Sequence, residues 1–101
     1  MEGLELIAFQ IISHAGQAKM LCMKAIDLAE ENCFDEAEKT LKEVDEYLKK
    51  AHQTHFQLIQ DEANGQKADF SLILMHAEDQ LMTVEMLKEL SFRIINIHKK
   101  I

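Results

Sequence analysis

The fold of this chain is decided by a mixed apolar and polar run near its C-terminus, LILMHAEDQLMTVEMLKEL, residues 72–90. Residues three and four apart share a face of an α-helix, so the run predicts a helix with apolar residues on two sides. One stripe comprises Leu74, Ala77, Leu81, Val84 and Ile95, and the other comprises Leu72, Met75, Met82, Met86, Leu90 and Ile97. The first stripe is predicted to pack on the rest of its own chain, and the second on copies of itself.

Two more helices are predicted before this one. The chain has 101 residues, no proline and only three glycines, and 48 % of its residues are hydrophobic, a composition that favours a few long helices. Apolar residues recur at steps of three and four, with breaks expected near Asn32 and at Asn64-Gly65. The third helix is predicted from Phe70 to the end of the chain. The predicted fold is all-α, with three long antiparallel helices. The predicted stripes comprise Leu4, Ile7, Ile11, His14, Ala18, Leu21, Ala25 and Leu28 in the first helix, and Phe34, Ala37, Leu41, Val44, Leu48, Ala51, His55 and Leu58 in the second.

The charge balance is acidic and excludes several classes of partner. Eleven basic and eighteen acidic residues give a formal charge of -7, which argues against binding to nucleic acid or to an anionic membrane. Apolar runs are short, and Glu2 and Glu5 stand where a signal peptide needs a basic start, so a cytoplasmic location is expected. Cys22 and Cys33 match no zinc or CxxC spacing and are expected to be free thiols.

Functional chemistry is predicted on the third helix. His76, Gln80 and Thr83 form a narrow polar stripe, and Asp79 lies in the methionine-rich ridge beside it. A carboxylate in apolar surroundings requires a hydrogen bond, a proton, an opposite charge or access to water. His76 and Asp79 are therefore the leading candidate site residues.

The segment His76 to Met82 has the pattern His-Ala-x-Asp-x-Leu-Met, which resembles the phosphorylation motif of enzyme IIA of the lactose and cellobiose class in bacterial sugar phosphotransferase systems. Two other blocks, in the same order, are similar to that family. The resemblance covers nearly the whole chain and implies one enzyme IIA helical-bundle domain over residues 1–101. These blocks comprise residues 14–19, HAGQAK, and residues 34–37, 51–52 and 58–65 of the second helix.

The resemblance also implies a function, partners and an assembly. His76 is expected to accept a phosphoryl group from the phosphohistidine of HPr and pass it to a cysteine of enzyme IIB, which makes the chain a phosphotransferase component that acts as a relay. A cellobiose-, chitobiose- or lactose-type disaccharide is the expected sugar. The expected assembly is a homotrimeric nine-helix bundle with Asp79 of each subunit on its axis. Three such carboxylates repel one another, and the family implies one Mg²⁺ per trimer to compensate.

Two departures from the family pattern affect this interpretation. Gln80 stands where the family often has His, so its expected role is hydrogen-bond support for His76 rather than charge stabilisation. His55-Phe56 stands where the family often has Gln-Thr. Two alternatives remain open: a non-catalytic helical interaction scaffold, and a metal-binding bundle that uses histidines and carboxylates as di-iron proteins do. Separately, His52 and His55 have the spacing of neighbouring positions on a helix, which would allow them to share an ion.

Overall fold

The protein is a three-helix bundle. The computed structural model describes residues 3–67 and 71–101, which contain α1 (Gly3–Glu30), α2 (Phe34–Ala63) and α3 (Leu72–Lys100). These helices confirm the all-α prediction. The predicted start of α3 at Phe70 lies outside the described residues, and α3 begins at Leu72 after the capping residue Ser71.

Both predicted helix breaks are confirmed. Asn32 has a φ of 64°, and the amide of Cys33 donates to the carbonyl of Leu28 over 2.8 Å, as in a left-handed helix terminus. After α2, Gly65 has a φ of 89°, and the amide of Gln66 donates to Asp61 in the same way. These turns reverse the chain, so consecutive helices are antiparallel.

α1 contacts both other helices more extensively than they contact each other. Its fully buried residues are mostly small, so the backbones of α2 and α3 approach closely. The predicted stripe is confirmed in part: Ile11, Ala18 and Ala25 are fully buried, whereas Leu4, Ile7, His14, Leu21 and Leu28 are only half-buried. The buried row comprises Ala8, Ile11, Ala15, Ala18, Cys22, Ala25 and Ala29.

The two apolar stripes of α3 have different environments, as predicted. The first stripe is buried from Ala77 onward, whereas Leu74 is half-buried. The apolar residues of the second stripe are each between 47 and 75 % exposed. We call this second stripe, together with Asp79, the outer face of α3; it comprises Leu72, Met75, Asp79, Met82, Met86, Leu90 and Ile97.

Polar pairs join α2 to α3 along their length. The residue numbers of the pairs fall along α3 as they rise along α2, which confirms the antiparallel arrangement of these helices. We call the side of α3 that carries these pairs the α2 flank. The pairs are Glu38 with Lys99, Asp45 with Lys88, His52 with Glu85 and His55 with Glu78.

None of the three described helices is apolar enough over a sufficient length to cross a membrane.

Candidate functional site

A groove crosses the outer face of α3 at its N-terminal half. Four apolar side chains form much of its surface, together with His55 and His76 and three carboxylates. The described lining contains neither lysine nor arginine. The lining residues are His55, Leu72, Met75, His76, Glu78, Asp79, Leu81, Met82 and Glu85.

His76 is exposed and lines this groove. Residues before and after His76 in the sequence hold its helical turn in place. Ser71 caps the helix by accepting a hydrogen bond from the amide of Leu74 over 3.0 Å, and the next residue, Ala77, is fully buried in the core. The imidazole is thus exposed to solvent on an anchored backbone. A protein partner can reach a group in this position.

Asp79 lies near the middle of the outer face and is exposed in the single chain. Within the described residues, its carboxylate has no hydrogen bond or ion pair, although Met75 and Met82 flank it in the groove. Covering this face with another chain would leave the carboxylate desolvated unless a cation or proton compensated it. An oxygen donor in this position fits a hard cation such as Mg²⁺.

Gln80 lies one turn beyond His76 and is half-buried. Residues four apart are neighbours on a helix surface, so its amide is within reach of a group bound to the imidazole. No hydrogen bond joins Gln80 to another side chain in the described part of the chain.

His52 and His55 each bind a different carboxylate. Nε2 of His55 lies 2.6 Å from Oε2 of Glu78, and Nε2 of His52 lies 3.1 Å from Oε1 of Glu85. Glu78 and Glu85 are seven residues apart, or about 10 Å along the helix, so the two pairs do not converge on one ion. The described residues contain no group of three potential ligands suited to a metal. The shared-metal interpretation of His52 and His55 therefore has no support in this fold.

His14 is a half-buried residue of α1, and its ring lies beside that of Tyr47 with 6.4 Å between centroids. Its Nδ1 atom is buried and has no hydrogen-bond partner among the described residues. His14 lies outside the groove that contains His76.

The groove and fold can now be compared with known proteins. A family model described as "PTS system, Lactose/Cellobiose specific IIA subunit" matches residues 6–99. The lichenan-specific phosphotransferase enzyme IIA component of Bacillus subtilis (strain 168) is 40 % identical over 100 residues, covering 99 % of this chain and 91 % of that protein.

Two solved structures extend the comparison. The cellobiose-specific enzyme IIA from Bacillus anthracis matches with a TM-score of 0.96 and 36 % identity, covering 99 % of this chain and 92 % of that one. The IIA(chitobiose) component in its complex with HPr, from the N,N'-diacetylchitobiose branch of the Escherichia coli phosphotransferase system, matches with a TM-score of 0.85 and 32 % identity, covering 99 % and 97 %.

With a family match over almost its entire length, the chain belongs to the lactose/cellobiose-specific IIA family of the phosphotransferase system. It is a component of a sugar phosphotransferase system and acts as a phosphoryl relay.

Proposed function

We propose that His76 is the phosphoryl acceptor of this relay. The observation that carries the proposal is the exposed imidazole in the lining of a largely apolar groove, close in sequence to the Ser71 cap and next to buried Ala77. Apolar walls favour exclusion of water when a partner protein covers the groove, which protects a transferred phosphoryl group from hydrolysis.

The donor in this proposal is the phosphohistidine of HPr, and the acceptor is a cysteine of enzyme IIB. An unprotonated ring nitrogen of His76 forms a bond to phosphorus while the phosphorus–nitrogen bond of the donor breaks, and the donor imidazole keeps that electron pair. The onward step transfers the same group to the cysteine sulfur. The similarity to an enzyme IIA solved in complex with HPr supports the choice of donor.

Gln80 is proposed as hydrogen-bond support. Its side-chain amide lies one turn from His76, where it can donate to an oxygen of the bound phosphoryl group. An amide donates a directed hydrogen bond but carries no net charge. Its stabilisation of the phosphoryl group is therefore expected to be smaller than that of a cationic side chain.

The proposed assembly is a homotrimer with the outer faces of α3 around the threefold axis. Its support is the row of exposed apolar side chains along one face of α3, from Leu72 to Ile97, because contiguous exposed apolar faces mark sites of protein association. In this arrangement Asp79 of each chain lies near the axis. One Mg²⁺ held by the three carboxylates would offset their mutual repulsion.

The sugar is proposed to be a disaccharide of the cellobiose, chitobiose or lactose type. The proposed location of the protein is the cytoplasm. Relatives named for lichenan, cellobiose, chitobiose and lactose support this range as a whole.

The test is phosphorylation with purified components. Incubation with phosphoenolpyruvate, enzyme I and HPr should add about 80 Da per chain, the mass of one phosphoryl group. His76→Ala should remove this gain while the helicity and the assembly stay unchanged, because an exposed side chain contributes little to packing. The matched control is His52→Ala, another exposed histidine on the described surface, which should keep the gain. Labelling that survives in His76→Ala would show that another residue is the acceptor, and no labelling of the wild type would favour the scaffold.

A further inference from the structure

The turn that ends α2 places an asparagine directly before a glycine. Asn64 and Gly65 are both exposed, and Gly65 has a φ of 89°. A Cβ atom added to Gly65 would meet nothing within 4 Å among the described residues outside its chain neighbours, so its backbone nitrogen is open to solvent once released from hydrogen bonding. A bond from this nitrogen to the Cγ atom of Asn64 would close a five-membered ring, a favourable ring size for an intramolecular attack.

The native turn opposes this attack. The amide of Gly65 donates to the carbonyl of Glu62 over 3.0 Å, and the amide of Gln66 donates to that of Asp61 over 2.8 Å. Asn64 has a ψ of 11°, at which the Gly65 nitrogen is rotated away from the asparagine side chain. The nitrogen can therefore reach Cγ only when the last turn of α2 opens.

Charge weakens that last turn. The C-terminal end of a helix dipole is negative, so acidic side chains oppose it and basic ones stabilise it. The last turn of α2 contains Asp61 and Glu62 and no basic residue. Beyond Gly65, Gln66 and Lys67 are both exposed, so they add no buried contact to hold the turn closed. Helix ends of this kind open at free energies near zero.

We propose that Asn64 is a site of spontaneous modification, where the side-chain amide is lost through a cyclic imide and the opening of the α2 terminus sets the rate. The Gly65 nitrogen gives up its proton and bonds to Cγ, while the carbon–nitrogen bond of the side-chain amide breaks and ammonia leaves. Water then opens the imide at either carbonyl, which yields aspartate or its isomer linked through the side chain. The net reaction consumes one water and releases one ammonia, with no change of oxidation state.

The other two asparagines of the chain are internal controls. Asn32 is also in a turn, but Cys33 follows it with a side chain beside the attacking nitrogen, and Phe34 packs against the core immediately afterwards. Asn96 lies within α3, before the β-branched residue Ile97. Both are expected to react much more slowly than Asn64.

The products change the end of α2 in two ways. Each adds a negative charge at the negative end of the helix dipole. The side-chain-linked isomer also inserts one extra atom into the backbone, inside the turn that the Gln66 to Asp61 hydrogen bond closes. Modified chains should therefore show faster amide hydrogen exchange over the last turn of α2 than unmodified chains.

The test is a time course of the purified chain in mildly alkaline buffer. The reaction adds about 1 Da per chain, and peptide mapping should locate it at Asn64 as both aspartate and its isomer. Asn64→Gln should abolish this gain, because its imide would need a six-membered ring, whereas the matched control Asn32→Gln should keep it. Aspartate without the isomer, or faster reaction at Asn32 or Asn96, would overturn the proposal.

Two comparisons test the control by helix opening. The chain unfolded in guanidinium should react faster than the native chain, but by less than about tenfold, because a frayed turn opens at little cost. A native rate equal to the unfolded rate, or below a tenth of it, would overturn the proposal.

The second comparison changes charge at low ionic strength. Glu62→Lys places a cation at the end of α2 and should slow the native reaction about 2–5-fold, whereas Glu46→Lys makes the same change in the exposed middle of α2 and should keep the wild-type rate. Equal rates for Glu62→Lys and the wild type would refute the control by helix opening. Because none of these readouts involves His76, they are independent of the proposed function.

Discussion

Cys22 and Cys33 are both free thiols, as the sequence predicts, but they differ in environment. Cys22 is fully buried in the alanine-rich row of α1, and Cys33 is partly exposed in the turn between α1 and α2. Burial raises the pKa of the Cys22 thiol, although a hydrogen bond with Ser91 and the charge of Lys88 oppose this shift. The thiolate is the reactive form, so Cys22 requires a higher pH than an ordinary thiol to react.

We therefore expect one fast and one slow thiol in the native protein at neutral pH. A maleimide should modify Cys33 promptly and Cys22 only after local or global unfolding, as read by intact mass. Cys33→Ser should abolish the fast phase, whereas Cys22→Ala should leave it. Equal reaction of both cysteines without denaturant would contradict the buried position of Cys22.

The sequence predicts the candidate residues of α3, but not the contacts that they make with α2. His76, Asp79 and Gln80 lie within one heptapeptide, and helical spacing alone places His76 and Gln80 on one stripe and Asp79 beside them. The His55–Glu78 pair was missed because its members are 23 residues apart on different helices. Such a contact depends on how α2 and α3 are aligned, and local periodicity carries no information on that alignment.

At the scale of the element, the start of α3 depends on one hydroxyl group. Ser71 has extended backbone geometry, and its Oγ accepts from the amide of Leu74 over 3.0 Å. We expect Ser71→Ala to lower the free energy of unfolding by about 1 kcal/mol, the typical effect of losing an N-cap. Chemical denaturation at fixed protein concentration measures this change.

The control for Ser71→Ala is Ser13→Ala. Ser13 is exposed in the interior of α1, where alanine favours the helix slightly. Its replacement is expected to be neutral or stabilising by a few tenths of a kcal/mol. Equal destabilisation by the two substitutions would show that the Ser71 hydroxyl makes no specific contribution to the helix start.

The helices differ in how well their packing could be predicted. α2 and α3 have large apolar residues such as Leu48 and Leu81 on their core faces, and the predicted core faces are confirmed. The buried face of α1 is made mainly of alanine, including Ala8 and Ala15, which is common on both surfaces and interiors. The predicted stripe therefore included the larger residues Leu21 and Leu28, which are half-buried and pack against the core from its edge.

At the scale of the whole molecule, Asp79 is proposed to place a charge at the centre of the assembly. Asp79→Leu removes the repulsion between subunits, and apolar replacement of clustered buried charges is often neutral or stabilising. We expect the variant to remain trimeric with equal or higher thermal stability, and to lose the bound axial cation. Sedimentation, thermal unfolding at matched concentration and metal analysis give the three readouts.

A matched substitution on the same face separates charge from packing. Met82→Asp adds a carboxylate to each chain one turn from Asp79 and should weaken assembly, because three more charges would have to be desolvated. An Asp79→Leu trimer that retains one equivalent of the same cation would show that Asp79 is not the ligand.

The groove around His76 also has an energetic consequence for the relay. Its described lining includes Glu78, Asp79 and Glu85 but no lysine or arginine. A phosphoryl group adds roughly 1.5 to 2 negative charges, so phosphorylation of His76, as proposed, would place this charge beside three carboxylates, in a repulsive electrostatic field. Such a field would raise the group-transfer potential of the phosphohistidine and shorten the time for which the group is stored. Moderate salt, with a screening length of about 8–10 Å, would then lengthen the life of the phosphorylated state.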